Sequence, residues 1–283
     1  MLRAIAESGR ISNLPTVWSN VLVGGALAGW SGAPGPMALA IGGPSLLYLG
    51  GMFLNDAFDA EWDRAHRKDR PVAGGRLPRR AAYALAWGCL IGGITLAGLG
   101  RDPPTSLAVA LTLSACIVLY NLLHKRFRGS VVLMALCRAL VYPLAASMLG
   151  GGWAEPVWPA SVAIAGTTTL LTLAARREED RGGRTGAALA CSVPAPYLVA
   201  IWAYGLPAIG WVIAVVGLLL VWAAKGAADA VRGRVRNAVL AWLAGLCLGD
   251  ALVLTLLERL DLAGLAVMFW IVTVLAHRRI TGT

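Results

Sequence analysis

Asn55, Asp56, Asp59, Glu61 and Asp63 stand together in the run Leu54-Asn55-Asp56-Ala57-Phe58-Asp59-Ala60-Glu61-Trp62-Asp63-Arg64, at the end of a long apolar segment. On a helix, Asn55, Asp59 and Asp63 recur every four residues and share one face, with neighbours separated by about 6 Å along the axis. Amide and carboxylate oxygens suit a hard cation, and Mg²⁺ is usually held by one or two carboxylates together with substrate phosphate oxygens. The implied ligand is a metal diphosphate, with Asn55, Asp56, Asp59 and Asp63 as candidate metal ligands. The plainer reading, a solvated acidic cap on a membrane helix, fits poorly with four acids in eight residues. A carboxylate at midspan costs on the order of 2.5–3.5 kcal/mol, and such groups tend to face a polar cavity.

The acids are followed by Arg67-Lys68-Asp69-Arg70-Pro71-Val72-Ala73-Gly74-Gly75-Arg76, a basic loop with Pro and Gly turn signals. Cations beside a metal site can hold phosphate oxygens and neutralise a leaving diphosphate. Arg70 is the first candidate for that role, ahead of Arg79 and Arg80. Further along, Arg138 lies within an apolar segment, where a charged side chain is expected to face a central cavity and meet an anionic group; a structural ion pair is the competing reading. Asp250, also inside an apolar segment, is assigned to packing or a local pair. His66, His124 and His277 show no mutual spacing that would make a site.

Placing these residues requires a set of membrane helices. The 283 residues are 58% hydrophobic and 14% charged, with a mean hydropathy of +0.67, too apolar for an ordinary soluble core. Ten apolar segments lie at roughly 15–33, 37–57, 81–99, 105–123, 131–149, 157–175, 187–203, 207–224, 238–256 and 262–276. Their length and continuity predict helices rather than strands. The expected fold is all-α: a polytopic transmembrane bundle of nine to ten helices in one domain, residues 1–283. Its central cavity is expected to open to the cytoplasmic side and the membrane.

The net charge of +10 is explained by topology. Apart from Arg101, Arg259 and the intramembrane Arg138, every Lys and Arg falls at a terminus or in every second loop. That asymmetry predicts an integral protein of the plasma (inner) membrane with both termini cytoplasmic, and no nucleic-acid partner. The N-terminal stretch lacks the pattern of a cleaved signal, so insertion is expected to begin at the first helix. The five cysteines all lie in apolar segments without paired spacing, as packing residues.

Asn55-Asp56-x-x-Asp59-x-x-x-Asp63, followed by Arg70-Pro71 and Gly75, resembles the first signature of the UbiA superfamily of intramembrane prenyltransferases. The resemblance extends to Tyr120-Asn121-Leu122-Leu123-His124-Lys125 and to the polar start of the first helix, which contains Asn13 and Asn20. It implies an all-helical fold, bound Mg²⁺, and an allylic prenyl diphosphate donor contacted by Tyr120 and Lys125. The family's second signature usually has two Asp four residues apart. Here the run is Arg176-Arg177-Glu178-Glu179-Asp180, with Arg176 where the first Asp is expected if Asp180 is the second. Either Glu178 or Glu179 supplies the missing oxygen, or Arg176 replaces metal charge by pairing with phosphate. This departure resembles a divergent branch, such as the EboC-type members.

The resemblance implies transfer of an isoprenyl group to a small acceptor, with Asp59, Asp63 and Lys125 as catalytic residues and Asn13, Asn20, Arg70, Tyr120, Lys125, Arg138 and Arg176 as substrate-binding residues. Trp18 or Tyr142 would shelter the allylic cation. The acceptor is an aromatic ring, a polyol-like hydroxyl or a lipid precursor. A terpene cyclase of the same family and a non-catalytic carrier of isoprenoid or anionic lipid are the alternatives.

Overall fold

The computed structural model describes residues 1–30, 32, 34–150, 155–179 and 192–280, with the side chains of 176–179 excepted. Among them the fold is all-helical. A short α1 (Leu2–Ser8) and a 3-10 turn (Ile11–Asn13) lead into α2 (Leu14–Leu27), α3 (Pro34–His66), α4 (Arg79–Gly98) and α5 (Pro103–Leu123). Next come α6 (Ser130–Ala139), α7 (Val141–Leu149), α8 (Trp158–Glu179), α9 (Tyr197–Tyr204), α10 (Ile209–Val231), α11 (Val235–Leu256) and α12 (Leu260–His277). Counting α6 and α7 as one span, 8 helices among the described residues are long and apolar enough to cross a bilayer, and the protein is an integral membrane protein.

The first apolar segment ends earlier than its hydropathy suggests. Gly29, at φ 64°, closes α2 in a left-handed turn. Its N–H bonds to Ala26 O at 3.0 Å, and Trp30 N–H reaches back to Gly25 O at 2.9 Å. This paired pattern satisfies the last carbonyls of a helix and stops it. The fifth segment is broken at Leu140 into α6 and α7. Pro143 has no N–H to offer Ala139 O, and Ser161 Oγ approaches that carbonyl at 3.5 Å instead.

Close helix approach sets the architecture. At Gly93 a Cβ would stand 2.7 Å from the Leu47 side chain and 2.9 Å from Gly43 O, so α3 and α4 pack backbone against backbone. Gly24 does the same for α2 and α7, where a Cβ would meet Tyr142 O at 2.7 Å and the Ala145 Cβ at 2.6 Å. Helix α11 is the most enclosed span, with 78% of its apolar window buried against 22% for α10 and α12. Asp250 and Thr255, within the enclosed part of α11, therefore face protein rather than lipid.

Helix α1 lies over the charged ends of α3 and α4. Ala4 joins Ala57, Ala60, Val72, Leu77 and Ala82 in a small apolar cluster. Glu7 accepts from Arg3 Nε at 2.9 Å and from Arg76, whose other nitrogen donates to Asp69 O at 2.6 Å. Burial alone would raise the Glu7 carboxyl, but the hydrogen bonds and charges of Arg76 and Arg3 outweigh it and hold it below the usual range.

Candidate active site

Helix α3 is 33 residues long, about 50 Å at 1.5 Å per residue, so it outruns a hydrocarbon core of about 30 Å. Its last turns carry the polar ladder beyond the apolar stretch. Asn55, Asp56, Asp59 and Asp63 are all buried there, whereas Glu61 points outward and pairs with Arg79 at 2.7 Å. The i, i+3 and i, i+4 spacings therefore turn three of the acids and one amide inward and leave the fourth acid at the surface.

Cations from three separate elements meet this ladder. From the loop after α3, Arg70 Nη1 donates to Asp56 Oδ1 at 3.0 Å while its Nε lies 3.7 Å from Asp63 Oδ2. Arg10, just ahead of the 3-10 turn, donates to Asn55 Oδ1 at 3.3 Å and lies 4.0 Å from Asp56. It occupies the left-handed region at φ 45°, which turns its side chain toward α3. Burial, followed by repulsion from Arg70, lowers the Arg10 guanidinium from its ordinary value, with Asp56 opposing the shift.

The third group comes from the end of α5. Asp102 caps the start of that helix by accepting from Thr105 N at 3.4 Å, with Pro103 and Pro104 in its first turn. At its other end, Asn121 Oδ1 accepts from Asn55 Nδ2 at 3.1 Å, and Asn121 Nδ2 donates to Ile117 O at 2.9 Å. These bonds fix which way the Asn55 amide faces, with its oxygen toward Arg10. Lys125 Nζ is 2.7 Å from Asp59 Oδ1, and His124 Nε2 is 3.3 Å from the same carboxylate. Lys125 also sits over the Trp62 ring at 4.6 Å, and Tyr120 stacks on His124 with centroids 5.2 Å apart.

At Asn55 the ladder meets a cavity lined by Arg10, Tyr48, Asn55, Tyr120 and Arg138 together with apolar side chains such as Ile117. Arg138 Nη1 donates to Asn20 Oδ1 at 3.0 Å, and Asn20 Nδ2 donates to Asp250 Oδ2 at 2.7 Å. Asp250 is fully buried and also accepts from Ser19 Oγ and Tyr142 Oη, each at 2.5 Å.

The structure thus gathers Asp56, Asp59, Asp63, Arg70 and Lys125 around Asn55 near the end of α3, with Asn55, Tyr120 and Arg138 lining the cavity and Asn20 behind Arg138. Asn13 is engaged differently: its Oδ1 pairs with His277 Nε2 at 2.6 Å, tying the 3-10 turn to the end of α12. Trp18 donates to Ser45 Oγ at 3.0 Å, and the Tyr142 hydroxyl is committed to Asp250. The side chains of Arg176, Glu178 and Glu179, and all of Asp180, lie outside the described residues.

The sequence reading missed Arg10, counted there only as a topological charge, and passed over Asn121 and His124 within a stretch it quoted. Asp250, assigned to packing or a local pair, is the hub of a buried hydrogen-bond network with Ser19, Asn20 and Tyr142. Among the described residues no three His, Cys, Asp or Glu groups converge to hold a metal. Mg²⁺ needs only one or two carboxylates when phosphate supplies the other oxygens, so the oxygen-donor ladder fits that ion.

The chain belongs to the UbiA prenyltransferase family, whose model matches residues 14–242. It is 30% identical over 132 residues to a digeranylgeranylglyceryl phosphate synthase from Metallosphaera sedula, covering 46% of this chain and 45% of that protein. To the protein of the same name from Methanopyrus kandleri it is 34% identical over 120 residues, covering 42% and 43%. These matches span less than half the length of those relatives. In fold it is similar to an apo UbiA homologue from Aeropyrum pernix, with a TM-score of 0.68, 18% identity and coverage of 87% and 97%. It is also similar to an Archaeoglobus fulgidus UbiA homologue bound to DMAPP and Mg²⁺, with a TM-score of 0.59, 12% identity and coverage of 90% and 99%.

Proposed function

We propose that this protein is a Mg²⁺-dependent prenyltransferase of the plasma (inner) membrane, with both termini cytoplasmic, that moves an isoprenyl group from an allylic prenyl diphosphate to a small acceptor. The observation that carries this reading is the meeting of Arg10, Arg70, His124 and Lys125 on the α3 carboxylates, next to a largely apolar cavity that Arg10 and Asn55 line. A diphosphate head and a hydrocarbon tail need those two environments side by side. The family membership and the DMAPP- and Mg²⁺-bound homologue support it.

Asn55, Asp56, Asp59 and Asp63 would hold Mg²⁺ on this side, with Glu178, Glu179 or Asp180 as the counterpart and Arg176 as a further phosphate contact. Bound Mg²⁺ would supply positive charge to the diphosphate oxygens. Arg70 and Lys125 hold the donor by exchanging carboxylate partners for phosphate oxygens, and Arg10 adds a third cation. As the allylic C–O bond breaks, its electron pair leaves on the diphosphate, and these cations stabilise the charge that develops there. The acceptor's nucleophilic atom bonds to the allylic carbon. Its proton passes to a carboxylate of the ladder, Asp59 or Asp63. Relatives named digeranylgeranylglyceryl phosphate synthase support a phosphorylated glyceryl lipid among the acceptors.

Purified protein given prenyl diphosphate, acceptor candidates and Mg²⁺ is expected to release diphosphate, and Asp59→Ala is expected to lose that release by roughly 100-fold or more. Unchanged release in the variant would remove the assigned metal site. A cyclised product formed without acceptor would replace the transferase by a cyclase, and recovery of intact donor lipid would replace it by a carrier.

A further inference from the structure

The cations around the α3 ladder each have a carboxylate close at hand: Arg10 at 4.0 Å, Arg70 at 3.0 Å and Lys125 at 2.7 Å. Arg138 does not. Among the described residues no carboxylate lies within 4 Å of it, and its hydrogen-bond partner is the neutral amide of Asn20, at 3.0 Å through Nη1. A guanidinium carries five N–H donors in a planar fork. The remaining donors of Arg138 belong to a side chain that lines the cavity among Val17, Met134, Cys137 and Val141.

The position of that fork is fixed from behind. Asn20 accepts from Arg138 with its oxygen and donates to Asp250 with its nitrogen, so the amide cannot turn over without losing both bonds. Asp250 is anchored in turn by the Ser19 and Tyr142 hydroxyls. Three donors converge on Asp250, and its charge keeps an arginine tolerable within the membrane without blocking the arginine's free edge.

We infer that Arg138 is a second anion-binding group in the cavity, separate from the diphosphate end, and that it reads a phosphate or carboxylate on the acceptor, with Asn20 and Asp250 as positioning residues. The inference rests on the transferase reading in taking the cavity's second occupant to be an acceptor. The guanidinium fork matches the two oxygens of either oxyanion. In an apolar cavity, an oxyanion replaces lost water more fully than a hydroxyl does, because both of its oxygens accept.

The test uses the full-length protein in detergent with Mg²⁺ and a saturating prenyl diphosphate, so that the donor end is occupied. Dodecyl phosphate, dodecanoate and dodecanol are then titrated as probes of one chain length and three head groups. The two acids are expected to bind at least 10-fold more tightly than the alcohol, and Arg138→Gln to weaken them about 10- to 100-fold with little change for dodecanol. Arg138→Lys keeps the charge but loses the fork and should fall between. Asn20→Leu is expected to lower the acid-to-alcohol affinity ratio, which a merely structural role would not move. The inference is overturned if dodecanol binds as tightly as the acids, if Arg138→Gln leaves the ratio unchanged, or if the acids displace the prenyl diphosphate instead of binding beside it. Failure of the transferase reading would show separately, as absence of diphosphate release from the wild type with every allylic donor.

Discussion

Lys125 Nζ lies 2.7 Å from Asp59 Oδ1 and 4.6 Å from the Trp62 ring centroid, so the end of α5 is clamped to two residues of α3 by one ammonium group. Asp59 and Trp62 lie on adjacent faces of the same turn. The cation at the site is therefore held by a charge it can exchange and a ring face it can keep.

Lys125→Gln is accordingly expected to lower the rate of diphosphate release about 10- to 100-fold while leaving the helices packed, because the long side chain can still cover Trp62. Lys125→Arg should retain more activity than Lys125→Gln. Single-turnover release of diphosphate checks both.

Arg70 touches two carboxylates with different nitrogens, Nη1 at 3.0 Å from Asp56 and Nε at 3.7 Å from Asp63. A lysine ammonium is one point charge and does not reproduce that fork. Arg70→Lys is expected to cost about 10-fold or more in kcat/KM for the prenyl diphosphate. A variant as active as the wild type would show that only charge matters at this position.

Asn121→Leu leaves the Asn55 amide without its acceptor in a buried place. The expected loss is about 1–3 kcal/mol of stability, seen as a lower melting temperature in detergent, together with a raised KM for the donor.

Gly24→Val places side-chain atoms where Tyr142 O and the Ala145 Cβ already stand within 2.7 Å. Overpacking of this kind typically costs about 1–3 kcal/mol. Thermal unfolding should show it, and the loss should exceed that of a valine at Gly88, where no atom lies within 4 Å.

The Glu7 carboxyl is held below its ordinary value by Arg76 and Arg3 against the effect of burial. A depressed folded value means that its stabilisation is present above the unfolded value and is lost as pH falls through the folded one. Docking of α1 on the 67–78 loop should therefore loosen below about pH 4, near the ordinary carboxylate range. Hydrogen exchange of residues 2–8 is the measurement. Glu7→Gln should show the looser exchange at neutral pH and little further change on acidification.

Much of the architecture is legible in the chain. Periodicity four along Asn55, Asp59 and Asp63 fixes a shared helix face whatever surrounds it, and hydropathy with charge asymmetry marks the membrane segments. Helix ends were less legible, because they depended on local backbone chemistry: the Gly29 turn that stops α2 and the Pro143 gap that divides α6 from α7.

Composition defines the solvent of the protein, and spacing along one helix defines the kind of ligand its acids suit. The distant groups that complete the site come together through helix packing. Arg10 reaches Asn55 across 45 residues, and Asn20 reaches Asp250 across 230. Those meetings depend on how each helix is rotated and how closely small residues such as Gly24 let backbones approach. Helix rotation and approach are set by packing between helices, which no pattern within a single helix records.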